Sequence, residues 1–418
     1  MPVQKSGARN SVQPERPSEG LTCVDLFAGA GGLPEGFRDA GLRTLVANEL
    51  HEDASKTFRR NHPEVDLITG DVHEVSGRDV LSRASNILGR RLKVGDLDVL
   101  AGGPPCQGFS FAGLKESGDP RNQLVWQQLR LVSELRPKFV VIENVEGMRK
   151  LHGGKLPLEV SQELEKLGYA VEYRLLFAAH YGVPQQRKRL IFLANRLGAP
   201  IVFPEVTHFE PTERERLDFG GRQPDLFGED PSFPSNERFE AGHYQPYVTV
   251  GAAISDLDFI EAGEAASDYR LPPVSEFQQR MREGSEQLFN HVASKHGART
   301  LAYFSHMVPG GSTETIPVGL LTKKTGIQRW HPDRLSRAVV TAFEDFVHYR
   351  ANRIPTVREV ARLQTFPDRF EFLGQRTSGN LNRRLKYSSQ TQQVSNAVPP
   401  AMAGAIGRAL RAVAVATL

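Results

Sequence analysis

Cysteine is scarce in this sequence. Only two of the 418 residues are cysteine, which excludes a disulfide framework and predicts a reducing compartment. Neither a C-x-x-C pair nor a Cys/His cluster at zinc spacing is present, so no metal site is expected. Residues 1–20 lack the apolar segment of a signal peptide, and no apolar run is long enough to cross a membrane. We therefore expect a disordered tail at residues 1–20 and a cytoplasmic protein, nucleoid-associated if bacterial.

The chain also has little excess of positive over negative charge. The net charge is +3 and the pI is near 8.8, which permits a polyanionic partner without requiring one. Charged residues make up 24% of the chain and hydrophobic residues 39%. A chain of this length and composition can build one large domain and one smaller domain.

Short β-type runs alternate with amphipathic segments between residues 21 and 194. This alternation predicts a mostly parallel, doubly wound α/β sheet. The predicted strands are 22–27, 44–48, 65–69, 97–101, 139–142, 171–177 and 190–194. The predicted helices are 51–60, 79–88, 121–135, 158–167, 356–364 and an Ala-rich segment at 399–415. Residues 203–247 are charged and punctuated by proline, which predicts a linker or an insertion.

One of the two cysteines directly follows an apolar run. Residues 98–101 predict the end of a buried strand, and residues 102–110 form the loop Gly-Gly-Pro-Pro-Cys-Gln-Gly-Phe-Ser. Because ligands bind beyond the carboxyl ends of strands in open α/β sheets, Cys106 is a candidate nucleophile. A lone cysteine in such a loop is also compatible with a small buried hydrophobic residue.

A glycine-rich turn follows the first predicted strand. The sequence of residues 25–33 is typical of a turn whose backbone approaches a cofactor closely. Pro34 occupies the third glycine position of the dinucleotide fingerprint, so a nucleoside without a pyrophosphate is favoured. Glu49 ends the second strand and suits ribose hydroxyls, and Asp71 follows the third strand and suits an adenine amino group. Solvated strand-end acids are the alternative for both.

Two further strand ends carry charged side chains. Residues 140–142 lead into Glu143, where an apolar crevice would favour a neutral acid able to protonate or hydrogen-bond a ring nitrogen. Arg187 and Arg189 precede another apolar run and, by period-two alternation, share one strand face. Two guanidinium groups on one face suit a carbonyl oxygen or a phosphate. A solvent-facing glutamate and a solvated basic edge remain the alternatives.

In this order, the motifs resemble those of the DNA cytosine-5 methyltransferases. The resemblance covers nearly the whole chain outside residues 203–247. The family's cofactor loop resembles residues 25–36, its Pro-Cys loop residues 102–110, its Glu-Asn-Val element residues 143–145 and its Gln-x-Arg-x-Arg element residues 185–189. A recognition-supporting helix is similar to residues 353–367, and the closing Gln-x-Gly-Asn-Ala-Val-Pro element to residues 393–399. Ser395 departs from the usual glycine, and Leu50 stands where an aromatic residue is sometimes found.

The resemblance implies a Rossmann-like, S-adenosylmethionine-dependent methyltransferase core with an inserted smaller target-recognition domain. The core would span residues 21–199 and 346–418, and the insertion residues 200–345 with a flexible segment near 205–247. The implied reaction transfers a methyl group to carbon 5 of a flipped-out cytosine in a specific double-stranded DNA sequence, through a covalent Cys106 adduct. The implied setting is bacterial restriction-modification, or a related defence or epigenetic system. A monomer on DNA is expected, with a cognate restriction endonuclease as a further partner, and neither a membrane nor a metal.

The resemblance also implies roles for individual residues. Cys106 would attack the ring, Glu143 would act at its N3, Arg189 would hold its oxygen, and Arg187 would steady the nucleophile loop or a phosphate. The implied cofactor-binding residues are Phe27, Ala28, Gly29, Gly31, Gly32, Leu33, Glu49, Leu50, Asp71, Val72, Pro105, Leu124, Asn396 and Ala397. The implied substrate-binding residues are Pro104, Gln107, Ser110 and Asn144.

Four other functions fit part of the pattern. An RNA cytosine methyltransferase of the same family would carry a Cys-Phe-Thr element, which is absent. Other RNA cytosine-5 enzymes place a Thr-Cys pair where this chain has Glu143 and Asn144. A DNA-binding module without activity would not need every reacting position to be filled. An NAD-linked oxidoreductase is disfavoured by Pro34.

Overall fold

A seven-stranded sheet lies at the centre of the protein. The computed structural model describes residues 20–105, 124–209, 244–322, 324, 326–377 and 388–417. The sheet strands are β1 (Thr22–Leu26), β2 (Arg43–Glu49), β3 (Asp66–Thr69), β4 (Val99–Gly102), β5 (Phe139–Val145), β6 (Ala170–Phe177) and β8 (Lys188–Asn195). A short strand, β7 (Gln185–Gln186), precedes β8. The sheet order is β3-β2-β1-β4-β5-β8-β6, with β8 antiparallel to both of its neighbours and the pairs from β3 to β5 parallel. The predicted α/β methyltransferase-type core is confirmed.

Helices connect these strands and complete the chain. Those between the strands are α1 (Gly32–Asp39), α2 (Glu52–Asn61), α3 (Gly77–Leu88), α4 (Leu124–Leu135) and α5 (Leu156–Lys166). Those after β8 are α6 (Val250–Ile254), α7 (Glu276–Arg282), α8 (Ala298–Ser305), α9 (Val357–Leu363), α10 (Gln390–Asn396) and α11 (Pro400–Thr417). Single 3₁₀ segments lie at Val72–Glu74, Glu146–Gly154, Ala178–Tyr181, Ser255–Leu257, Val318–Leu320 and Phe343–Asp345.

Alternating side chains of the strands build two apolar layers. One layer contains Val24, Leu100 and Val140 and is covered by α3, α4 and α5. The opposite layer contains Cys23, Val99 and Val141 and is covered by α1 and α11. Because both faces are buried, the central strands β4 and β5 are apolar along most of their length. The Ala-rich C-terminal helix α11 packs on the opposite layer of the sheet.

A third apolar cluster joins the segment between β8 and α9 to the end of the chain. It includes Trp330 and Phe346 from that segment and Val360 from α9. Two short parallel pairs lie here: β9 (Gln328–Arg329) with β11 (Phe346–Val347), and β10 (Ser336–Arg337) with β7. The pairing of β10 with β7 brings this segment next to the double-arginine motif, Arg187 and Arg189, which follows β7 in the sequence. Strand β8 begins only two residues after β7 ends.

Buried ion pairs hold α9 in place. Arg353 donates to both carboxylate oxygens of Glu359, at 2.8 and 2.6 Å. Arg362 pairs with Asp256 and, at 2.6 Å, with Asp368. All of these side chains are fully buried, so removing one partner would leave an uncompensated charge. The pairs fix α9 between the inserted segment and the core.

Candidate active site

The turn between β1 and α1 is closed against the end of β2. The Ala28 N–H donates to the Asn48 carbonyl at 2.9 Å, and the Gly31 N–H donates to the Ala28 carbonyl at 2.9 Å. Gly29 and Gly31 have φ angles of 56° and 101°, a region that glycine enters without steric cost. Phe27 also has a positive φ, of 59°. The glycines therefore shape a tight turn at the carboxyl edge of the sheet, as the sequence predicts.

Glu49 is part of this turn rather than a solvated strand-end acid. Its Oε2 accepts the Gly29 N–H at 2.9 Å and its Oε1 accepts the His51 N–H at 2.8 Å. Burial raises the pKa of Glu49, and these backbone hydrogen bonds oppose that rise. Each carboxylate oxygen keeps a further lone pair, so two more donors can be accepted.

Asp71 lies beyond β3 and is half exposed. Its Oδ1 accepts the backbone N–H of His73 at 3.0 Å and contacts the His73 ring nitrogen Nδ1 at 2.6 Å. These hydrogen bonds lower the pKa of Asp71, which keeps the carboxylate charged and able to accept an amino group. Leu50 is 59% exposed next to Glu49, and a Cβ placed on Gly29 would meet nothing within 4 Å. The turn, the two acids and the exposed apolar side chain fit a nucleoside with free ribose hydroxyls.

Four of the other predicted cofactor residues differ in how exposed their side chains are. The side chains of Leu33 and Val72 are buried in the apolar layers, so only their backbone atoms can face a ligand. Asn396 is exposed at the end of α10, and Ala397 is partly exposed beside it. Ser395 replaces the usual glycine, but its hydroxyl donates to the Thr391 carbonyl at 2.8 Å. The extra side chain therefore lies against its own helix.

Two residues near the turn were missed by sequence reasoning. Asp25 is 1% exposed, and within the described ranges its Oδ2 has no hydrogen-bond partner. Burial, together with the charge of Glu49, raises the pKa of Asp25 well above its usual range. His62 places Nε2 3.1 Å from the Gly31 carbonyl, and burial lowers its pKa. Asp25 is the first residue of the glycine-rich motif, so its position in the sequence could have identified it as a candidate site residue. His62 belongs to no recognisable sequence motif.

Glu143 and Arg189 form an ion pair at the ends of β5 and β8. The Arg189 Nε lies 2.7 Å from the Glu143 Oε1, and the two side chains are 14% and 10% exposed. Antiparallel pairing sets Arg189 opposite Val145, so its side chain reaches Glu143 two residues away. The surroundings of Glu143 are therefore an ion pair and not the purely apolar crevice that the sequence suggested.

The first residues of the Pro-Cys loop lie against this pair. A Cβ on Gly103 would lie 3.0 Å from the Glu143 Oε2, so a larger residue would require the Glu143 carboxylate to shift. The Asn144 Nδ2 donates to the Pro104 carbonyl at 3.1 Å, and its Oδ1 accepts the Val145 N–H at 2.8 Å. Asn144, predicted to bind substrate, thus holds the loop in place.

The predicted nucleophile follows this point of the chain. Cys106, Gln107 and Ser110 lie outside the described residues, which stop at Pro105 and resume at Leu124. The other cysteine, Cys23, is fully buried in β1. Burial raises the pKa of the Cys23 thiol well above its usual range, so that side chain is unsuited to nucleophilic attack.

Arg187 does not make the contacts that the alternation pattern predicts. Its N–H donates to the Gln185 carbonyl, and this turn between β7 and β8 breaks the strand alternation. The side chain is 1% exposed and donates to the carbonyls of Ser395 at 2.8 Å, Ala397 at 3.2 Å and Val339 at 3.3 Å. A side chain that is buried in this way is not exposed to a DNA phosphate, so these contacts do not support the predicted phosphate contact. The predicted contact with the nucleophile loop stays a prediction, because residues 106–123 lie outside the described residues.

The cationic residues of the inserted segment are not equivalent. Arg329 is 4% exposed and donates to the carbonyls of Phe304 and His348, so it holds protein backbone. Lys324 lies 2.8 Å from Asp345. Arg334 is exposed and, among the described residues, forms no side-chain hydrogen bond or ion pair. The exposed Arg337 donates to the Gly326 carbonyl at 2.7 Å.

The described ranges show neither a membrane-spanning helix nor a cluster of metal ligands. None of the helices that the structure describes is both long and apolar enough to cross a membrane. The described residues also contain no group of three or more His, Cys, Asp or Glu side chains placed to hold a metal ion.

The chain is similar to DNA cytosine methyltransferases in sequence and in fold. Residues 21–412 match the family model of the C-5 cytosine-specific DNA methylases. The chain is 34% identical to the Type II methyltransferase M1.HphI of Haemophilus parahaemolyticus, over 93% of this chain and 86% of that protein. It is 33% identical to the Type II methyltransferase M.DdeI of Desulfomicrobium norvegicum, over 92% and 87%. A crystal structure of a DNA modification methyltransferase encoded within an E. coli prophage has the same fold, with a TM-score of 0.68, 22% identity, and coverage of 94% and 99%.

Proposed function

The chain belongs to the C-5 cytosine-specific DNA methylase family, and we propose that it methylates a flipped-out cytosine of a specific double-stranded DNA sequence through a covalent bond to Cys106. The observation that carries this proposal is the Glu143–Arg189 pair with Gly103 and Pro104 against it. The family's chemistry implies S-adenosylmethionine as the methyl donor. The similar Type II enzymes favour a restriction-modification setting, with a cognate endonuclease as the further partner.

Cys106 is only three positions after Gly103 in the sequence, and each residue of an extended chain spans at most about 3.6 Å. Because Gly103 packs against the Glu143 carboxylate, we place the cytosine ring between the Glu143–Arg189 pair and the Cys106 thiol. A base stacked inside a duplex cannot lie there, so the target base must leave the helix.

The chemistry requires covalent activation of the ring. Carbon 5 of cytosine is a poor nucleophile, and the Cys106 thiolate forms a bond to carbon 6 while the 5,6 double-bond electrons move toward carbon 5. Glu143 stabilises the added proton at N3, and Arg189 donates to the ring oxygen. When bound, S-adenosylmethionine would supply the methyl group to carbon 5, and its sulfur would keep the electrons of the broken sulfur–methyl bond, which leaves S-adenosylhomocysteine. A base then removes the carbon 5 proton, the N3 proton returns to Glu143, and the re-formed 5,6 double bond expels the Cys106 sulfur as a thiolate.

Residues at the β1–α1 turn are proposed to hold the nucleoside part of the cofactor. Glu49 accepts the two ribose hydroxyls with its remaining lone pairs, Asp71 accepts the adenine amino group, and Leu50 packs on the purine face. The contact of Gly29 with Glu49 supports this role, since it fixes the carboxylate at the mouth of the turn. Leu50 can replace an aromatic residue because dispersion requires only close contact between its apolar side chain and the purine face.

A methylation assay on two substrates tests the proposed function. The purified full chain is incubated with S-adenosylmethionine and either genomic DNA or transfer RNA, and modified cytosines are mapped by bisulfite sequencing. We expect protected cytosines at one recurrent DNA sequence and none in the RNA. Methylation of the RNA alone, or of neither substrate, would contradict the proposal.

Loss of Glu49 is expected to weaken cofactor binding far more than loss of Asp71. A buried charged hydrogen bond contributes about 1.5–3 kcal/mol, so Glu49→Ala should lower the affinity by about 10- to 100-fold. Asp71 is half exposed, and Asp71→Ala should cost about two- to fivefold. Calorimetric titration with S-adenosylhomocysteine gives both values, and Glu172→Ala, an exposed acid on β6, is the control. Equal affinities for wild type and Glu49→Ala would rule out the ribose assignment.

Exposed and paired cations of the inserted segment should differ in their effect on DNA binding. Arg334 is unpaired among the described side chains, so Arg334→Ala should reduce the slope of log K against log salt by about one. Lys324 is already neutralised by Asp345, so Lys324→Ala should change the slope less. Fluorescence anisotropy with a DNA duplex across a salt series provides the slopes. An unchanged slope for Arg334→Ala would remove this residue from the DNA interface.

A further inference from the structure

Buried polar side chains connect the double-arginine strand, the inserted segment and the end of α10. Gln185 accepts the Val339 N–H at 3.0 Å and donates to the Leu363 carbonyl at 2.7 Å. Gln364 donates to the Ala397 carbonyl at 2.7 Å. Arg187 adds hydrogen bonds to the carbonyls of Ser395, Ala397 and Val339. The side chains of Gln185, Arg187 and Gln364 are at most 1% exposed, and we call these three the buried polar network.

The far end of the network lies on the cofactor turn. A Cβ on Gly32, the first residue of α1, would lie 3.1 Å from the Ala397 Cβ and would collide with the Val398 carbonyl. The backbone of residues 397–398 is therefore packed directly on the turn that follows β1. Two donors, from Arg187 and Gln364, converge on the one carbonyl of Ala397 and fix this backbone in position.

Burying the Arg187 guanidinium at this position costs desolvation free energy. Arg187 is buried, its Nε has no hydrogen-bond partner among the described residues, and burial together with the charge of Arg189 lowers its pKa well below the usual range. The acid near it, Glu143, is already paired with Arg189. Neutral side chains could fill the same volume at lower cost, so packing alone does not explain the residue.

We propose that Arg187 is a positioning residue for the cofactor: it holds residues 395–397 against the β1–α1 turn and thereby sets the affinity for S-adenosylmethionine. This inference rests on the proposed function and departs from the role in DNA or nucleophile contact that the motif first suggested. The residue acts through backbone carbonyls and not by touching the ligand. Its loss should therefore weaken cofactor binding even when no DNA is present.

The test uses a second buried arginine as a matched control. Arg329 also donates only to carbonyl and amide oxygens, but it does so inside the inserted segment. We expect Arg187→Met to lower the affinity of the full chain for S-adenosylhomocysteine by about tenfold, which corresponds to one charged hydrogen bond. Arg187→Lys, which can still donate to one carbonyl, should recover part of this loss. Arg329→Met should lower the melting temperature comparably and leave the affinity unchanged.

If Arg187→Met does not fold, two substitutions of uncharged glutamines test the same inference. Gln364→Met removes the second donor to Ala397 and should weaken binding severalfold, whereas Gln278→Met removes a buried glutamine that donates within the inserted segment and should not. Wild-type affinity in both Arg187→Met and Gln364→Met would overturn the inference while leaving the proposed function intact. Failure of the wild-type chain itself to bind S-adenosylhomocysteine would overturn both.

Discussion

Replacement of Cys106 by alanine should reduce methyl transfer to background, because this removes the thiolate that we propose forms the bond to carbon 6. The second cysteine, Cys23, is buried in β1, and burial raises the pKa of its thiol. Cys23→Ala should therefore keep the wild-type rate and lose only about 1 kcal/mol of stability through the small cavity it creates. The assay measures transfer of a labelled methyl group from S-adenosylmethionine to genomic DNA.

The affinity of Cys106→Ala for the cofactor shows whether a loss of activity comes from the missing nucleophile or from misfolding. Cys106 belongs to neither the β1–α1 turn nor the buried polar network, so Cys106→Ala should bind S-adenosylhomocysteine as the wild-type chain does. Residual methylation by Cys106→Ala at a rate within tenfold of wild type would remove Cys106 from the mechanism. Loss of activity in Cys23→Ala, with normal stability, would point to the wrong cysteine.

The second large effect is expected for Glu143→Gln. This substitution keeps the shape of the side chain but removes the group that stabilises the proton at N3, and catalysis by such a group contributes about 10²- to 10⁴-fold. We expect a fall of this size in kcat with little change in KM for DNA, since Arg189 remains to bind the ring oxygen. Steady-state kinetics on a methylatable duplex gives both constants.

A paired glutamate on the surface of α5 provides the control for Glu143→Gln. Glu163 lies 3.0 Å from Lys166, so Glu163→Gln also breaks an ion pair but involves no residue of the proposed site. Its kcat should equal that of wild type. If Glu143→Gln and Glu163→Gln have the same kcat, Glu143 has only a structural role.

The central sheet could be predicted because its strands are short apolar runs that end in recognisable residues. β1 leads into a glycine-rich turn, β2 ends at Glu49, and β5 ends in Glu143 and Asn144. Each signal is local in sequence, so the strand ends and the acids at the carboxyl edge follow from the pattern. The position of β8 between β5 and β6 is not local, and no periodicity in a single strand reveals it.

The contacts of Arg187 show why other parts of the site could not be predicted. Period-two alternation assumes an unbroken strand, but a turn at this residue separates β7 from β8. The carbonyls that it binds belong to residues 152, 208 and 210 positions away in the sequence. Similarly, His62 contacts the Gly31 carbonyl 31 positions away. These contacts depend on how distant segments pack together in the fold. Periodicity and local motifs in one sequence do not predict such packing.

The most direct test of the proposed mechanism is covalent trapping on DNA. A duplex that carries 5-fluorocytosine at the methylated position accepts the thiol and the methyl group, but fluorine cannot leave carbon 5 as the proton does, so the adduct persists. We predict a complex of the wild-type chain with this duplex that survives denaturation, requires S-adenosylmethionine and maps to the peptide containing Cys106. An adduct on Cys23, an adduct that persists in Cys106→Ala, or no adduct from an actively methylating enzyme would contradict the account.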